Sequence, residues 1–325
     1  MKILLVLMEF EFLILFFSLH MESACEDMNT NETIKANNGS EMKNSSVDRN
    51  DCLRIFEKYG LDLNIQENSN FSGCSETFRE EFYKILCRGD YERPVEIISK
   101  LRCYFQHYGH PFLTIAPFKV EEISKDPVIL LYHDFVFEAE IEKIKYFAEN
   151  KMNVSQTISK DGEAVVSPAR KSKSCFLSNV ESKTELKGLT RRIADSTTLS
   201  MDSSEYFQVV RYENGEYYRP HHDFFTHPKV IRRNKSNRIA TFLMYLSDVQ
   251  EGGYTVFPKL RLYVKPQKGA GIFWYNLFDN GHGDLRMLHG ACDVTSGTKW
   301  ISTKWIREEG QEFKRPCSRR PIGGV

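Results

Sequence analysis

Four residues in the last third of the chain have the types and spacing to hold a metal ion and an anionic ligand. His221 and Asp223 are separated by one residue, and in an extended strand such residues point to the same face. With His289 they would form a two-histidine, one-carboxylate set, which binds ferrous iron and leaves positions open for a chelating cosubstrate and O2. Lys299, ten residues after His289, is a cation suited to the distal carboxylate of that cosubstrate.

The same His-x-Asp pattern occurs a second time, at His282 and Asp284. Glycines flank His282 on both sides, which favours a flexible loop over a rigid strand. The copy at His221 follows a strand-like run at 206–212 and is followed in order by His289 and Lys299. We therefore interpret the first copy as the metal site and the second as a loop.

Longer stretches around these residues resemble one enzyme family. From about Phe82 to Cys317 the chain is similar to the catalytic part of collagen prolyl 4-hydroxylase alpha subunits. The matching stretches are QVVRY (208–212), YRPHHDF (218–224), NRIAT (237–241), YLSDV (245–249), GGYTVFP (252–258), FWYNLF (273–278), KWISTKW (299–305) and GQEF (310–313).

The resemblance implies an Fe(II)/2-oxoglutarate-dependent dioxygenase that hydroxylates peptidyl proline at C4 in collagen-like sequences, yielding succinate and CO2, with ascorbate keeping iron reduced. It implies that His221, Asp223 and His289 ligate iron and that Lys299 pairs with 2-oxoglutarate. The other positions that match are Tyr212, Tyr218, Trp305 and Arg307 around the cosubstrate, and Arg170 and Ser172 in the substrate groove. Arg307 stands where vertebrate members have a histidine, so the positive charge is kept but proton exchange near neutral pH is lost.

The cysteines favour disulfides over a metal site, because no C-x-x-C pair is present among the eight. By the resemblance, the expected pairs are Cys87 with Cys103 and Cys292 with Cys317. Proximity suggests a third pair between Cys52 and Cys74. We interpret Cys175 as a buried thiol.

The amino terminus is typical of a secretory signal peptide, expected over residues 1–25. A lysine precedes apolar runs, and small residues follow, although Glu9 and Glu11 interrupt the apolar stretch. A membrane anchor is not favoured, because neither uninterrupted run approaches the roughly 20 residues that span a bilayer. The sequons that could carry glycans are Asn31, Asn38, Asn44, Asn70, Asn153 and Asn234. These features predict the lumen of the endoplasmic reticulum.

Composition and periodicity divide the rest of the chain. Residues 26–50 are polar and predict a disordered linker. For residues 51–110 the pattern predicts a short helical region. Residues 111–203 are expected to form a helix-strand lead-in to the core, with helices at 138–149 and 181–197 and a strand at 129–132. Residues 204–317 are expected to form a jelly-roll core, the double-stranded β-helix, and with the preceding helices this gives an α+β fold. Residues 318–325 are expected to form a tail. The expected strands are 205–212, 218–225, 239–247, 254–257, 261–265, 271–276, 285–294 and 298–306.

The charge is balanced, with 44 basic and 44 acidic residues, so no net positive field favours nucleic acid as a partner. The resemblance implies a protein disulfide isomerase subunit as a partner. Alternatives stay open: a hydroxylase of another peptidyl residue or of a non-collagen substrate, a noncatalytic subunit on the same fold, and a zinc hydrolase. The last is disfavoured because no H-E-x-x-H motif is present and Lys299 would have no purpose there.

Overall fold

The computed structural model describes residues 76–159 and 162–317. The predicted signal peptide (1–25), linker (26–50) and tail (318–325) lie outside the described residues, as do residues 51–75 of the predicted helical region (51–110). Within the described part, no helix combines the length and apolarity that a membrane crossing needs.

The described part of the chain begins with helices and continues mainly as strands. The α-helices are α1 (Glu76–Arg88), α2 (Val95–Ile98), α3 (Pro111–Ile115), α4 (Glu138–Glu149), α5 (Lys187–Thr197) and α6 (Pro228–Arg233). The first strands are β1 (Cys103–Gln106), β2 (Phe118–Lys125), β3 (Val128–His133), β4 (Asn153–Val154), β5 (Thr157–Ile158), β6 (Ala164–Val165), β7 (Arg170–Lys171) and β8 (Lys173–Phe176). The later strands are β9 (Gln208–Tyr212), β10 (Tyr217–His221), β11 (Arg238–Tyr245), β12 (Glu251–Gly252), β13 (Thr255–Phe257), β14 (Leu262–Val264), β15 (Gly271–Tyr275), β16 (His289–Ala291), β17 (Val294–Ser296) and β18 (Lys299–Arg307).

Two antiparallel sheets form the core of the protein. The larger has the order β1-β2-β3-β15-β11-β18-β9-β8-β4, and the smaller has the order β14-β13-β16-β10-β7. From β9 onward the chain alternates between them, with β9, β11, β15 and β18 in the large sheet and β10, β13–β14 and β16 in the small one. This alternation produces the predicted jelly roll, in which both sheets contribute side chains to one interior.

Side-chain alternation along β11 explains how the layers are held together. Leu243 and Tyr245 point into the interior between the sheets, where they pack with Phe257 of the small sheet. Phe242 and Met244 point to the opposite face of the large sheet and pack with helices α4 and α5. Because successive residues of a strand face opposite sides, one short apolar run fills both cores.

Several predicted boundaries differ from the structure for local reasons. The helix predicted at 138–149 is confirmed as α4, whereas the one predicted at 181–197 is a π-helical turn, Glu181–Glu185, followed by α5. The strand predicted at 285–294 is shortened because a 3-10 turn occupies Leu285–Met287. The loop interpretation of His282 is confirmed, since this exposed residue lies outside the helices and strands, in the connection between β15 and the 3-10 turn.

Both disulfides implied by the resemblance are wrong in this structure. Cys87 of α1 is bonded to Cys292, directly after β16, with a Cα–Cα distance of 5.4 Å. Helix α1 packs on the small sheet through Phe82, Ile85 and Leu86, which brings Cys87 against that strand rather than toward β1.

Two further predictions concern the remaining cysteines. Cys103 is disulfide-bonded, and its partner lies outside the described residues, as does the suggested pair Cys52–Cys74. Cys317 is free and exposed, and Cys175 is a free, buried thiol as predicted.

Candidate metal and cosubstrate site

Two strands of the small sheet bring the predicted metal ligands together. His221 ends β10, His289 begins β16, and the two residues are paired in the antiparallel register. Asp223 follows β10, and its Oδ1 and Oδ2 lie 3.6 Å from His221 Nε2 and 3.6 Å from His289 Nε2 respectively. One ligand atom from each of the three residues lies within 4.8 Å of the others. The side chains of His221 and Asp223 therefore converge as expected from strand parity, although β10 ends at His221 and Asp223 follows it.

Backbone carbonyls orient both imidazoles. His221 Nδ1 lies 3.0 Å from the carbonyl oxygen of Arg219, and His289 Nδ1 lies 2.9 Å from that of Met287. If each Nδ1 carries the proton and donates it to the carbonyl, the lone pair of each Nε2 is free for a metal ion. Burial, and then the neighbouring His289, lowers the pKa of His221, so its ring is neutral at physiological pH.

Tyr218 flanks the first ligand. Its ring is parallel to that of His221, with centroids 3.6 Å apart and planes inclined by 16°. The guanidinium of Arg170 lies 4.6 Å from the centroid of the same tyrosine ring. Burial raises the pKa of Tyr218, so the ring enters this arrangement as a neutral phenol.

Lys299 is completely buried in the interior between the sheets. Its ammonium donates to the carbonyl oxygen of Gly253 at 2.5 Å and lies 3.5 Å from Thr255 Oγ1. Thr255 pairs with Ala291, two residues beyond His289 on β16, so Lys299 and the metal ligands line the same interior. Within the described residues, no carboxylate forms an ion pair with this lysine. Burial lowers its pKa to about 7.

Aromatic rings surround the ammonium of Lys299. It lies 5.6 Å from the ring centroid of Tyr212 and 5.7 Å from that of Tyr245. Tyr245 Oη donates to Thr255 Oγ1 at 2.8 Å, which fixes one wall of this space. A buried cation is costly unless an anion pairs with it, so the arrangement fits a ligand that carries a carboxylate.

Arg170 and Ser172, predicted in the substrate groove, are both buried on or beside β7 and β8. Arg170 donates from Nε to Ser172 Oγ at 3.2 Å and from Nη2 to Gln208 Oε1 at 3.4 Å. Ser172 Oγ also donates to Ser155 Oγ at 2.8 Å. The guanidinium thus has neutral hydrogen-bond partners, while its closeness to Tyr218 places it beside the metal ligands.

Arg307 lies far from Lys299, at the other end of β18. Eight residues separate the two, which corresponds to roughly 26 Å along a strand at about 3.3 Å per residue. Arg307 pairs with Glu205 at 2.8 Å and donates to the carbonyl of Ser236 at 2.8 Å and to Asn234 Oδ1 at 3.2 Å. The structure therefore does not place Arg307 with the cosubstrate lysine.

Trp305 occupies an intermediate position on the same strand. It pairs with Thr241 of β11, and the guanidinium of Arg238 lies 3.5 Å from its ring centroid. Its indole nitrogen is buried. This donor faces the carboxylate of Asp223 and helps to lower the pKa of that group.

The sequence reasoning missed residues that hold the site from outside. Glu205 forms a two-point ion pair with Arg238 at 2.6 and 2.8 Å, and Arg238 also lies 3.4 Å from the carbonyl oxygen of Asp223. Thr241 donates to Asp223 Oδ2 at 2.7 Å. Arg238 and Thr241 belong to the matched stretch at 237–241, and that match was the available signal.

Two predicted glycosylation sites fall in the described part of the chain. Asn153 is exposed on β4, whereas Asn234 is half-buried at the end of α6. The side-chain amide of Asn234 donates to the carbonyl of Val230 at 2.8 Å. Attachment at either residue stays a prediction, as it does at Asn31, Asn38, Asn44 and Asn70, which lie outside the described residues.

The residues present fit a ferrous ion and a dicarboxylate. Two imidazoles and one carboxylate, gathered in the interior between the sheets, are the donor set of non-haem iron oxygenases. A closed structural zinc site would need a fourth protein ligand, and the only cluster of suitable side chains in the described residues contains these three. The unpaired, buried Lys299 supplies the second requirement, a site for a carboxylate away from the metal.

Comparisons with known proteins agree with this geometry. Residues 207–307 match the 2OG-Fe(II) oxygenase superfamily. Prolyl 4-hydroxylase subunit alpha-2 of Caenorhabditis elegans is 43% identical over 241 residues, covering 72% of this chain and 44% of the relative. Prolyl 4-hydroxylase subunit alpha-1 of Homo sapiens is 41% identical over 244 residues, covering 73% and 45%.

The chain spans about half the length of these relatives. Among solved structures, a viral collagen prolyl hydroxylase from Paramecium Bursaria Chlorella virus-1, in complex with 2OG, aligns with 55% of this chain and 95% of that one. The TM-score is 0.45 and the sequence identity 26%. The superfamily match includes the strands that carry His221, Asp223, His289 and Lys299. Over 72–73% of its length the chain is similar to the alpha subunits of prolyl 4-hydroxylases.

Proposed function

We propose that this protein is a procollagen-proline 4-dioxygenase, which hydroxylates peptidyl proline in collagen-like sequences with 2-oxoglutarate and O2. One observation carries the proposal. A His-Asp-His cluster and a buried lysine, which has no carboxylate partner among the described residues, line the same interior of a jelly roll. Relatives named prolyl 4-hydroxylase alpha subunits support the choice of proline.

The protein's residues would divide the work of binding and orientation. His221, Asp223 and His289 would hold Fe(II), which when bound supplies the oxygen-activating chemistry. Lys299 would pair with the distal carboxylate of 2-oxoglutarate, and Tyr212 and Tyr218 would line the space between it and the metal ligands. Burial of these groups strengthens each charged contact and excludes water from the reacting centre.

The peptide would approach the part of the cavity that Arg170, Ser172 and Trp305 border. Arg170 contacts the ring of Tyr218, which stacks on His221, so a peptide seated beside Arg170 would present its proline near the metal. Arg307 stays in the proposed cosubstrate set by the resemblance alone: it pairs with Glu205, which also binds Arg238, and lies at the end of β18 opposite to Lys299.

Three further elements complete the proposal, the first two from the resemblance and the third from the amino-terminal sequence and the sequons. Ascorbate would keep the iron reduced, a protein disulfide isomerase would be the partner subunit, and the lumen of the endoplasmic reticulum would be the location. The Cys87–Cys292 disulfide and the disulfide-bonded Cys103 support an oxidising compartment.

The deciding experiment is turnover by the full chain coexpressed with a disulfide isomerase. The purified protein is given Fe(II), ascorbate, O2 and a collagen-like peptide that contains both proline and lysine, with and without 2-oxoglutarate. Succinate release together with a one-oxygen mass gain on proline supports the proposal. A gain on lysine instead would show a hydroxylase of another residue, and intact 2-oxoglutarate under all conditions would show a noncatalytic subunit.

Two variants serve as controls. His221→Ala removes a metal ligand and should abolish both succinate release and peptide oxidation. Lys143→Ala changes an exposed lysine on α4 whose ion pair in the described part of the chain is with Glu185, and it should leave both rates unchanged. Purification without the isomerase tests the partner: a soluble, active chain by itself would show that no such subunit is required.

A further inference from the structure

A chain of buried hydrogen bonds runs behind the carboxylate of Asp223. Thr241 Oγ1 donates to Asp223 Oδ2 at 2.7 Å, Asn276 Nδ2 donates to Thr241 Oγ1 at 2.8 Å, and Trp274 Nε1 donates to Asn276 Oδ1 at 2.8 Å. Thr241, Trp274 and Asn276 are completely inaccessible to solvent. Burying each of these three polar side chains in an apolar interior costs free energy, which indicates that the hydrogen-bonded chain has a role.

The chemistry of the donors fixes the direction of the whole chain. An indole N–H can only donate, so the oxygen of the Asn276 amide must face Trp274 and its nitrogen must face Thr241. Thr241 therefore receives a hydrogen bond from Asn276, and its own hydroxyl proton points at the Asp223 carboxylate, which can only accept. One orientation of each group satisfies every member of the chain.

The same tryptophan contacts a second metal ligand. The ring of Trp274 lies edge-on to the imidazole of His289, with centroids 4.8 Å apart, and Phe257 packs on Trp274 at 5.4 Å in a T-shaped arrangement. Trp274 and Thr241 are also opposite each other in the register of β15 and β11. Trp274, on the large sheet, thus contacts the ring of His289 directly and is connected to Asp223 by three hydrogen bonds that pass through Asn276 and Thr241.

We infer that Thr241, Asn276 and Trp274 form a positioning relay that presets the Asp223 carboxylate and the His289 ring for the metal, so that these three residues set the affinity of the site for a divalent cation. The inference rests on the proposed function only in taking the His-Asp-His cluster as a metal site. None of the three would contact the metal or the reacting atoms; each acts through a ligand. Partners of this kind typically change metal affinity by about 10- to 100-fold when removed.

The test is metal affinity of the full-length protein without turnover. Co(II) binding is titrated by its visible absorption and by calorimetry under anaerobic conditions. Thr241→Val, which keeps the branched shape but cannot donate, should weaken Co(II) binding about 10- to 100-fold. Thr241→Ser, which keeps the hydroxyl, should stay within about threefold of the parent. Trp274→Phe, which keeps a ring against His289 but frees the Asn276 amide to reverse, should weaken binding by an intermediate factor.

Two controls make each outcome decisive. Thr197→Val removes the hydroxyl of a buried threonine on α5 that donates to Ile193, so it reproduces the loss of stability away from the site. Equal Co(II) affinity for the parent, Thr241→Val and Trp274→Phe overturns the relay. A parent protein that binds no Co(II) overturns the proposed metal site instead. If Thr241→Val does not fold, Trp274→Phe and Thr241→Ser decide, since the relay requires the first to bind more weakly than the second.

Discussion

The ammonium of Lys299 lies 2.5 Å from the carbonyl oxygen of Gly253, which is its closest hydrogen-bond partner within the described residues. A neutral carbonyl does not compensate the burial of a full charge, and burial lowers the pKa of Lys299 to about 7. Within the described residues, Lys299 therefore has no anionic partner to offset the burial of its charge. A dicarboxylate that enters the cavity would complete the pair.

The first prediction concerns the pH dependence of 2-oxoglutarate binding. Above about pH 7 a growing share of the free protein holds Lys299 neutral, and binding of the dianion must then take up a proton. Affinity should fall steadily from about pH 7 to about pH 9, and calorimetry in buffers of different ionisation enthalpy should show proton uptake. Lys299→Arg, which stays charged throughout this range, should lose that pH dependence. A parent affinity that is constant over the range would contradict the lowered pKa.

The second prediction concerns stability. Because the folded-state pKa of Lys299 is depressed, the unfolded chain binds more protons between about pH 7 and its ordinary value of 10.5. The contribution of Lys299 to the free energy of unfolding therefore rises with pH through that window. Lys299→Met removes the buried charge and should leave the free energy of unfolding at neutral pH unchanged or raise it by about 1–4 kcal/mol, while 2-oxoglutarate binding is lost.

Denaturant unfolding across that pH range measures the free energies of unfolding of the parent and of Lys299→Met. The difference between these two free energies should become smaller as the pH rises. The matched control is Lys304→Met, another buried lysine on β18, which donates to the carbonyl of Glu205 and packs on Phe207. Its replacement should leave 2-oxoglutarate affinity within about threefold of the parent. A large destabilisation by Lys299→Met would mark this lysine as a structural residue.

The third prediction concerns the ring of Tyr218. Since this ring is stacked on His221 at 3.6 Å, Tyr218→Leu should let the imidazole rotate and should weaken metal binding about tenfold. Tyr218→Phe keeps the stack, so its metal affinity should match the parent. If the hydroxyl contacts the cosubstrate, Tyr218→Phe will raise the KM for 2-oxoglutarate without changing metal affinity. Equal metal affinity in both variants would remove the stacking role.

The fourth prediction distinguishes the observed disulfide from the one that the resemblance implies. Cys87 and Cys292 close a loop with a sequence separation of 205 residues, and loss of a long-loop disulfide costs about 2–5 kcal/mol. Cys87→Ala should lower the free energy of unfolding by that amount, whereas Cys317→Ser, at an exposed free thiol, should change it by less than about 0.5 kcal/mol. Peptide mapping without reduction should recover Cys87 joined to Cys292. A strong effect of Cys317→Ser would favour the pair Cys292–Cys317.

Much of the jelly roll and of the metal cluster could be predicted because the relevant signals are local. Short apolar runs bounded by Gly, Pro and Asn turns indicate strands, and because side chains change sides at every residue, such a run can be buried on both faces. The same parity placed His221 and Asp223 on one face. Lys299 shares strand parity with Ile301 and Trp305, so it was expected to face the interior, where a lysine favours an anionic partner.

The tertiary structure alone decided the contacts between residues that are distant in the chain. The pairing of Cys87 with Cys292 depends on where α1 docks, and no local pattern reports the docking of a helix on a sheet. Arg307 shares strand parity with Lys299, yet it lies at the opposite end of β18 because parity gives the face of a residue and not its position along the cavity. The Thr241–Asn276–Trp274 relay likewise exists only where β11 and β15 are adjacent, since each residue is by itself an ordinary buried side chain.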